Sequence, residues 1–436
     1  MAERPLTSQF PRSGDDLDAV EQMLHQRLIG TIADAEVGEV DNERLREIVD
    51  KTARVILSDE YPRLLGDDKE EVIARVVDEV TGLGPIEPLV RDPRVSEVMV
   101  NSPDEVYFER DGIIYESDIK FRDTPHIMAV IDRIVAVLGR HVDEASPMVD
   151  ARLADGSRVN VIIPPLVPVS PVLTIRKFRS DRYTMPEMIE GETVTQGLAN
   201  FLEGCVKSRL NIVVSGGTGT GKTTFLNALS GFLGSRERIV TIEDPLELRL
   251  QQKHVIRMEA RPPSTEGRGE VTQRTLFRNA LRMRPDRILV GEVRGSEAFD
   301  MMQAMNTGHE GSMTTVHANS PRDALARIEN MIMMSGFDMP VPVIREQMAS
   351  ALDVIIHLNR LLDGSRKVVQ VSEVAGLEGS TVTLQDIFVY HQGGIDAEGR
   401  VLGSFRPTGI RPAFTDRLKS FGIELDEDIF GVSRWA

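Results

Sequence analysis

One glycine-rich segment has the residue spacing of a phosphate-binding loop. It follows an apolar stretch at 211–215 and fits the pattern G-x-x-x-x-G-K-[ST] without departure. Glycines let the backbone curl so that its N–H groups point at phosphate oxygens, and the helix that follows adds the positive end of its dipole. The residues predicted to bind the nucleotide are Gly216, Gly217, Thr218, Gly219, Thr220, Gly221, Lys222, Thr223 and Thr224. Within this loop the pattern predicts that Lys222 reaches the β- and γ-phosphates of ATP and that the Thr223 hydroxyl binds Mg²⁺.

Two acids follow the next apolar stretch. Residues 239–242 predict a strand, and Glu243 and Asp244 come directly after them. Ligands of open α/β sheets lie at the carboxyl ends of the strands, where a carboxylate can hold a water molecule or act as a general base. For Glu243 we favour this functional interpretation. For Asp244 a turn or capping role before Pro245 is equally consistent with the sequence.

A second acid lies in the segment Arg284 to Gly295. An apolar strand at 288–290 precedes Glu292, which is the position expected to bind hydrated Mg²⁺ or to position water. Glu292 and Arg294 are two residues apart, so they share a face if the strand continues. Arg294 either senses the γ-phosphate or forms an ordinary ion pair with a neighbouring acid.

Each of the other polar residues downstream has a functional and a structural interpretation. His317 follows a strand-like stretch at 312–316, where an imidazole can bond a phosphate oxygen; a buried structural histidine is the alternative, and is favoured for His309. Arg274, Arg278 and Arg282 recur every four residues on one helix face. A solvated charged face is the preferred interpretation of these arginines, and a subunit contact or phosphate clamp is the other.

Composition excludes several classes of protein. The net charge is −17 and aromatic residues make up only 5%, which argues against nucleic acid as the main partner. The single cysteine, Cys205, permits neither an internal disulfide nor a thiolate metal site, and we expect it in a helix core. We expect no signal peptide and no transmembrane segment, because the longest apolar stretch, Val161 to Ile175, contains four prolines.

The sequence predicts several domains. Residues 1–14 are predicted to be disordered, residues 15–82 to form a bundle of about three helices, and residues 83–178 to form an α+β domain with a helix at Thr124 to Leu138. A polar linker at 179–192 precedes residues 193–436, in which strand and helix alternate as in a parallel sheet. The end of the chain from His391 is rich in glycine and charge and has no clear pattern.

Taken in order, the segments GGTGTGKTT, TIEDPLEL, RPDRILVGEVRG and GHEGSMTTVHANS resemble the type II/type IV secretion and pilus ATPases. Within them the chain is most similar to the CpaF/TadA branch, which powers Flp (tight-adherence) pili. The likeness covers about residues 83–390. It implies a PAS-like α+β domain and a RecA-like α/β P-loop ATPase domain. It also implies that Glu243 is the catalytic glutamate, that Glu292 is the Walker B acid, and that His317 is the histidine of the His box.

The resemblance further implies a homohexamer in the cytoplasm that uses ATP and Mg²⁺. Such a ring docks on an inner-membrane platform protein and drives assembly of a pilus, or also its retraction. The family region before the linker contributes arginines to the nucleotide, which makes Arg176 and then Arg158 candidates, while Arg152 is equally consistent with structural pairing. Four zinc-binding cysteines and an AIRNLIRE-type motif, found in other branches, are absent from the sequence.

Three other functions remain open at this point. A type IV DNA- or effector-transfer ATPase would use the same chemistry. A nucleotide-dependent scaffold would bind ATP and scarcely hydrolyse it, and intact Glu243 and Glu292 count against it. A RecA-like nucleic-acid motor is disfavoured by the acidic balance and the low aromatic content.

Overall fold

The computed structural model describes residues 14–34, 42–62, 64, 66–110, 112–136, 141–153, 155–178, 183–261, 263, 268–425 and 427–431. The chain divides into two compact units, Met1–Arg179 and Ser180–Ala436. Both mix helices with a large sheet, as expected for a protein of α and β elements. The predicted boundary at residue 82 and the linker at 179–192 stay predictions.

The first unit begins with three helices at the positions that the apolar periodicity predicts. They are α1 (Gly14–Asp34), α2 (Asn42–Glu60) and α3 (Gly66–Thr81). Leu24, Leu57 and Val76 are fully buried in a small core that the three helices share. Apart from Gly14, which begins α1, the stretch predicted to be disordered lies outside the described residues.

A six-stranded antiparallel sheet completes the first unit, in the order β3-β2-β1-β6-β5-β4. Its strands and helices are β1 (Val95–Ser102), β2 (Glu105–Arg110), β3 (Ile113–Glu116), β4 (Met148–Arg152), β5 (Arg158–Ile162), β6 (Val172–Arg176), α4 (Glu87–Arg91) and α5 (Thr124–Ala136). Buried Val98, Val159 and Ile175 from alternate strand positions pack with α5. That the sheet is PAS-like stays a prediction.

The structure differs from the sequence expectations at three places in this unit. The sequence predicts a turn at Asn101 to Pro103, but β1 runs through Ser102, so the turn lies one or two residues later. α5 ends at Ala136, and residues 137–140 lie outside the described part. The strand β4 was not predicted. Apolar Met148 and polar Asp150 are both exposed, so apolar and polar residues do not alternate along it.

The second unit is built on a nine-stranded sheet in the order β15-β14-β13-β12-β7-β11-β10-β8-β9. Its strands are β7 (Ile212–Gly216), β8 (Ile239–Glu243), β9 (Val255–Glu259), β10 (Arg287–Val290), β11 (Met313–His317), β12 (Val354–Arg360), β13 (Arg366–Glu378), β14 (Thr381–Ile395) and β15 (Val401–Pro407). The predicted parallel arrangement holds from β9 to β12. Strands β13 to β15 are antiparallel, and they occupy the segment whose end the sequence left unassigned.

Helices cover both faces of this sheet. They are α6 (Met185–Glu190), α7 (Gln196–Lys207), α8 (Lys222–Ser230), α9 (Gln273–Ala280), α10 (Glu297–Asn306), α11 (Pro321–Met333), α12 (Val341–Ala351) and α13 (Thr415–Ser420). One apolar core contains Phe201 and Phe225, and the other contains Phe277 and Met302. Cys205 is buried in the first, on α7, as predicted.

The helix α6 lies inside the stretch that the sequence describes only as a polar linker. Thr184 and Glu187 form a capping box at its start: the Glu187 carboxylate accepts hydrogen bonds from the backbone N–H of Thr184 at 2.6 Å and from its hydroxyl at 2.8 Å. Six residues give too short an apolar pattern to detect, so the sequence signals for this helix are the capping pair and Pro186 in its first turn.

Candidate functional site

The predicted nucleotide residues meet at one edge of the nine-stranded sheet. In the parallel register, Gly216 at the end of β7 lies between His317 at the end of β11 and Leu358 of β12. On the far side of β11, Val290 at the end of β10 pairs with Ile242, the residue before Glu243. The carboxyl ends of four strands therefore bring the phosphate loop, both acids and His317 to the same edge, as the α/β rule predicts.

The loop adopts a conformation that requires its glycines. Gly219 and Gly221 have φ angles of 71° and 89°, in the left-handed region that glycine adopts without steric cost. A Cβ on Gly216 would lie 2.6 Å from both the Leu358 carbonyl oxygen and Thr220 Oγ1. The loop thus packs closely around Gly216, and a side chain at this position would displace the loop.

Lys222 begins α8 directly after the loop and is largely buried. Its ammonium donates to the Gly217 carbonyl oxygen at 2.7 Å, across the loop that it follows. Thr223 and Thr224 occupy the next two positions and are half-buried. The loop therefore turns its own cation inward, with the N-terminus of α8 beside it, as an anion site requires.

Glu243 ends β8 and is completely buried. Its Oε1 accepts a hydrogen bond from Thr241 Oγ1 at 2.8 Å, and its Oε2 accepts from the backbone N–H groups of Glu247 and Leu248, both at 2.6 Å. Because Oε2 has two donors and Oε1 has one, Oε1 keeps room for a further donor such as a water molecule.

Burial raises the pKa of Glu243 above its ordinary value of 4.5, against the opposing effect of the hydrogen bonds from Leu248, Glu247 and Thr241. Gly291 lies against this side chain, and a Cβ there would be 3.1 Å from Glu243 Cγ. The glycine after β10 is therefore the residue that lets the two acid-bearing segments approach.

Glu292 lies between two partners. Its Oε2 accepts from Arg294 Nη2 at 2.6 Å, and its Oε1 is 3.2 Å from His317 Nε2. The strand β10 ends at Val290, so the condition under which Glu292 and Arg294 would share a strand face is not met. They meet because the chain turns after Gly291, and Arg294 has the ion pair that the sequence left as one of its two interpretations.

His317 lies within the field of several charges. Burial lowers the pKa of its imidazole below 6.5, the Lys222 ammonium lowers it further, and the Glu292 carboxylate opposes them. The ring is therefore neutral at pH 7 and can donate one N–H to Glu292. His309, by contrast, lies before β11, at the opposite edge of the sheet from His317.

Arg274 of α9 is largely covered, with 21% of its side chain exposed, whereas Arg278 is 60% exposed, as on the solvated face that the sequence favours. Both donate to the carboxylate of Asp300 on α10, from their Nε atoms at 2.8 and 3.2 Å. The helix ends at Ala280, so Arg282 does not continue its face. The first two arginines thus join α9 to α10.

Three arginines of the first unit form a row across its sheet. Arg152 of β4 lies opposite Arg158 of β5, which lies opposite Arg176 of β6. Val159 and Ile175 beside them are buried, so the arginines project from the other face. Like charges directly opposite one another are destabilising, but Arg176 also lies opposite Glu97 of β1, so an acid stands beside the row.

Sequence reasoning missed two groups of residues at the site. Thr241 stands two residues before Glu243 on the same strand, so the period of two could have placed its hydroxyl beside the carboxylate. Ser215 and His357 form a hydrogen bond of 2.9 Å between Oγ and Nδ1 beneath the loop. They are 142 residues apart, and no local pattern predicts that pairing.

The chain matches one protein family over most of its length. A family model described as type II/IV secretion system protein matches residues 79–400, which is more than half of the chain. The chain belongs to this family. It is accordingly a P-loop ATPase of the secretion type, and the edge that holds Gly216 to Thr224 is its candidate nucleotide site.

Two relatives agree with that assignment by their sequence identity. The chain is 36% identical over 335 residues to a putative conjugal transfer protein of Mycobacterium tuberculosis, covering 75% of this chain and 94% of the relative. It is 31% identical to the type IV secretion system protein VirB11 of Brucella suis, covering 67% and 88%. The crystal structure of the Brucella suis VirB11 ATPase in complex with sulphate is 28% identical, with a TM-score of 0.36, over 66% of this chain and 95% of that one.

Among the helices of the described residues, none combines the length and the apolar character needed to cross a bilayer.

Proposed function

We propose that this chain is the motor that powers a Flp (tight-adherence) pilus, converting ATP hydrolysis into pilus assembly. The observation that supports the chemistry is the single sheet edge at which Lys222, Glu243, Glu292 and His317 converge. The pilus itself is supported by the resemblance of the ordered motifs to the CpaF/TadA branch.

In the proposed reaction Lys222 leaves the Gly217 carbonyl and binds the β- and γ-phosphates. Glu243 is the general base and acts through Oε1, because its Oε2 already accepts two backbone hydrogen bonds. A raised pKa brings such a base closer to neutral pH, where proton transfer is most effective. Charge then develops on the γ-phosphoryl oxygens, near Lys222 and His317.

Magnesium fits the donors at this edge. Thr223 offers a hydroxyl at the start of α8 and Glu292 a carboxylate beyond β10, and hard oxygen donors of this kind suit Mg²⁺. In such a site the ion neutralises charge on the phosphates when it is bound with ATP. Arg294 holds the Glu292 carboxylate at 2.6 Å, so Arg294 would orient that acid.

The row of Arg152, Arg158 and Arg176 is proposed to supply the remaining positive charge from another subunit of a homohexamer. Arg176 is exposed on its strand, and Arg158 lies directly opposite it. Alanine at Arg176 or Arg158 should lower turnover more than ATP affinity, because the contact matters most in the transition state. Recovery of activity on mixing with Lys222→Ala protein would support action in trans; wild-type turnover in both alanine variants would contradict the assignment.

The ring is proposed to work on the cytoplasmic side of the inner membrane, docked on a platform protein. One other function has specific support: relatives named as conjugal transfer and type IV secretion proteins make transfer of DNA or effectors the second candidate. The same hydrolysis would serve both, so the chemistry does not separate them.

A complementation experiment separates the two. Cells that lack the gene receive the wild-type chain, the Lys222→Ala variant, or the control Lys253→Ala, which changes an exposed lysine away from the loop. The pilus function predicts that surface pili depend on Lys222 and that DNA or effector transfer does not. Transfer that depends on Lys222 while pili form normally would establish the second candidate instead.

A further inference from the structure

The hairpin between β12 and β13 rises from the same sheet edge as the phosphate loop. β12 pairs with β7, and its Leu358 lies opposite Gly216. The turn is well defined: Asp363 Oδ1 accepts from the Ser365 backbone N–H at 2.9 Å and from its hydroxyl at 2.6 Å. The first residue of β13, Arg366, is thereby held in a constant position next to the loop.

Arg366 contacts the loop at two of its glycines. Its Nε donates to the Gly219 carbonyl oxygen at 2.9 Å. Its Cδ would be 3.2 Å from a Cβ on Gly221, so the arginine stem packs against that glycine. Gly219 and Gly221 are the two loop residues with left-handed φ angles, and Arg366 therefore braces the turn whose N–H groups face the phosphates.

The next residues tie the same strand to the chain on the other side. Lys367 Nζ donates to the Glu192 carbonyl oxygen at 3.0 Å, and the Val368 N–H donates to the Thr193 carbonyl oxygen at 3.0 Å. Glu192 itself has a φ angle of 54°, which is uncommon for a residue with a side chain. The residues that follow Arg366 on β13 are therefore also hydrogen-bonded outside the loop.

We propose that Arg366 is a positioning residue for the nucleotide: it holds the turn from Gly219 to Gly221 in its phosphate-binding form. The inference rests on the loop being the ATP site. A charged donor on the outer carbonyl keeps the opposite N–H groups directed inward, and it adds positive charge beside the phosphates. Since the braced part of the loop cradles the phosphates that ATP and ADP share, Arg366 supports both nucleotides equally.

The test measures affinity for ADP and for a non-hydrolysable ATP analogue by titration of fluorescent nucleotide. Arg366→Ala should raise both dissociation constants by about 10-fold, which corresponds to about 1.4 kcal/mol, and leave kcat at saturating ATP within about twofold. Arg366→Lys keeps a charged donor without the planar fork, so it should raise both constants by a smaller factor. Arg406→Ala is the matched control, because Arg406 is exposed on β15 and bonds Ser404 instead of the loop.

Three results would overturn the inference. They are wild-type affinity in Arg366→Ala, a loss confined to the triphosphate, which would make Arg366 a γ-phosphate sensor, and a fall in kcat with unchanged affinity. If Arg366→Ala does not fold, Arg366→Lys decides, and wild-type affinity in that variant overturns the inference. A wild-type protein that binds neither nucleotide would instead contradict the ATP site itself, so the two failures are distinguishable.

Discussion

Replacing Glu243 by glutamine separates a catalytic role of this acid from a structural one. The carboxylate accepts three hydrogen bonds inside the second unit, two of them from the backbone of the segment that follows β8. A structural capping residue would have those same contacts. Glutamine keeps the shape and one oxygen for Glu247 and Leu248, while its amide can donate to Thr241 Oγ1.

The expected loss of stability is small. Hydrogen bonds to charged groups contribute about 1.5–3 kcal/mol and neutral ones about 0.5–1.5 kcal/mol, so the three bonds together lose roughly 3 kcal/mol. Relief of a buried charge offsets part of this loss, since burial already raises the pKa of Glu243. The midpoint of thermal unfolding should therefore fall by no more than about 4–8 °C.

The expected loss of turnover is much larger. A general base contributes about 10²- to 10⁴-fold, and the amide cannot accept a proton, so kcat should fall by that factor while ATP still binds. Thr241→Val is the control, because it removes one hydrogen bond to Oε1 and keeps the carboxylate. It should cost about 1 kcal/mol of stability and far less turnover.

The pH dependence gives a second readout. Only the ionised carboxylate accepts a proton, so wild-type kcat should decline from a pH above 4.5 as the solution is acidified. Folding favours the protonated form, so the contribution of Glu243 to stability is greatest below pH 4.5 and is lost as the pH rises through its folded pKa. Single-turnover rates of Glu243→Gln equal to those of the wild type would show that the base lies elsewhere.

Three further predictions concern neighbouring residues. Lys222→Ala should reduce hydrolysis to near background with the fold retained. In the same variant an NMR titration should show a raised pKa of His317, because the Lys222 charge lowers that pKa in the wild type. An unchanged His317 pKa would contradict the assigned cause. Gly216→Ala should weaken ATP binding at least about 10-fold, as its Cβ would lie 2.6 Å from the Leu358 carbonyl oxygen, and normal calorimetric affinity would refute this. Asp300→Asn should lower the free energy of unfolding by about 1–2 kcal/mol with normal turnover, because Asp300 joins Arg274 and Arg278; a large loss of activity would revive the phosphate-clamp interpretation.

The sequence predicts which polar residues lie together where they follow directly after a buried strand. Glu243, Glu292 and His317 each come within two residues of an apolar strand, and parallel strands place their carboxyl ends together. Their convergence therefore needs no knowledge of distant contacts. The three helices before residue 82 can be predicted equally well, because their apolar stripes repeat over several turns.

The parts that escaped prediction depend on long-range pairing. β14 and β15 show no regular alternation of buried and exposed residues, both contain glycines, and their order follows from the strand beside them. Arg366 is 147 residues from Gly219, whose carbonyl oxygen accepts its hydrogen bond. The Asp363-Gly364 pair between Arg360 and Arg366 is a hairpin signal, and it could have placed Arg366 at a strand start, but it does not reveal which loop lies next to that strand.

The order of the strands gives the phosphate loop neighbours from both halves of the sheet. β7 lies in the middle of the sheet, so the phosphate loop has the acids of β8 and β10 on one side and the hairpin of β12 and β13 on the other. On the first side, the Lys222 ammonium lowers the pKa of His317 and the Glu292 carboxylate opposes it, so a change of charge at the loop would act on that ring. On the second side, Arg366 contacts the loop while Lys367 holds Glu192, near the start of the second unit. A displacement of the loop would therefore also act on β13, which contacts the chain segment that follows α6.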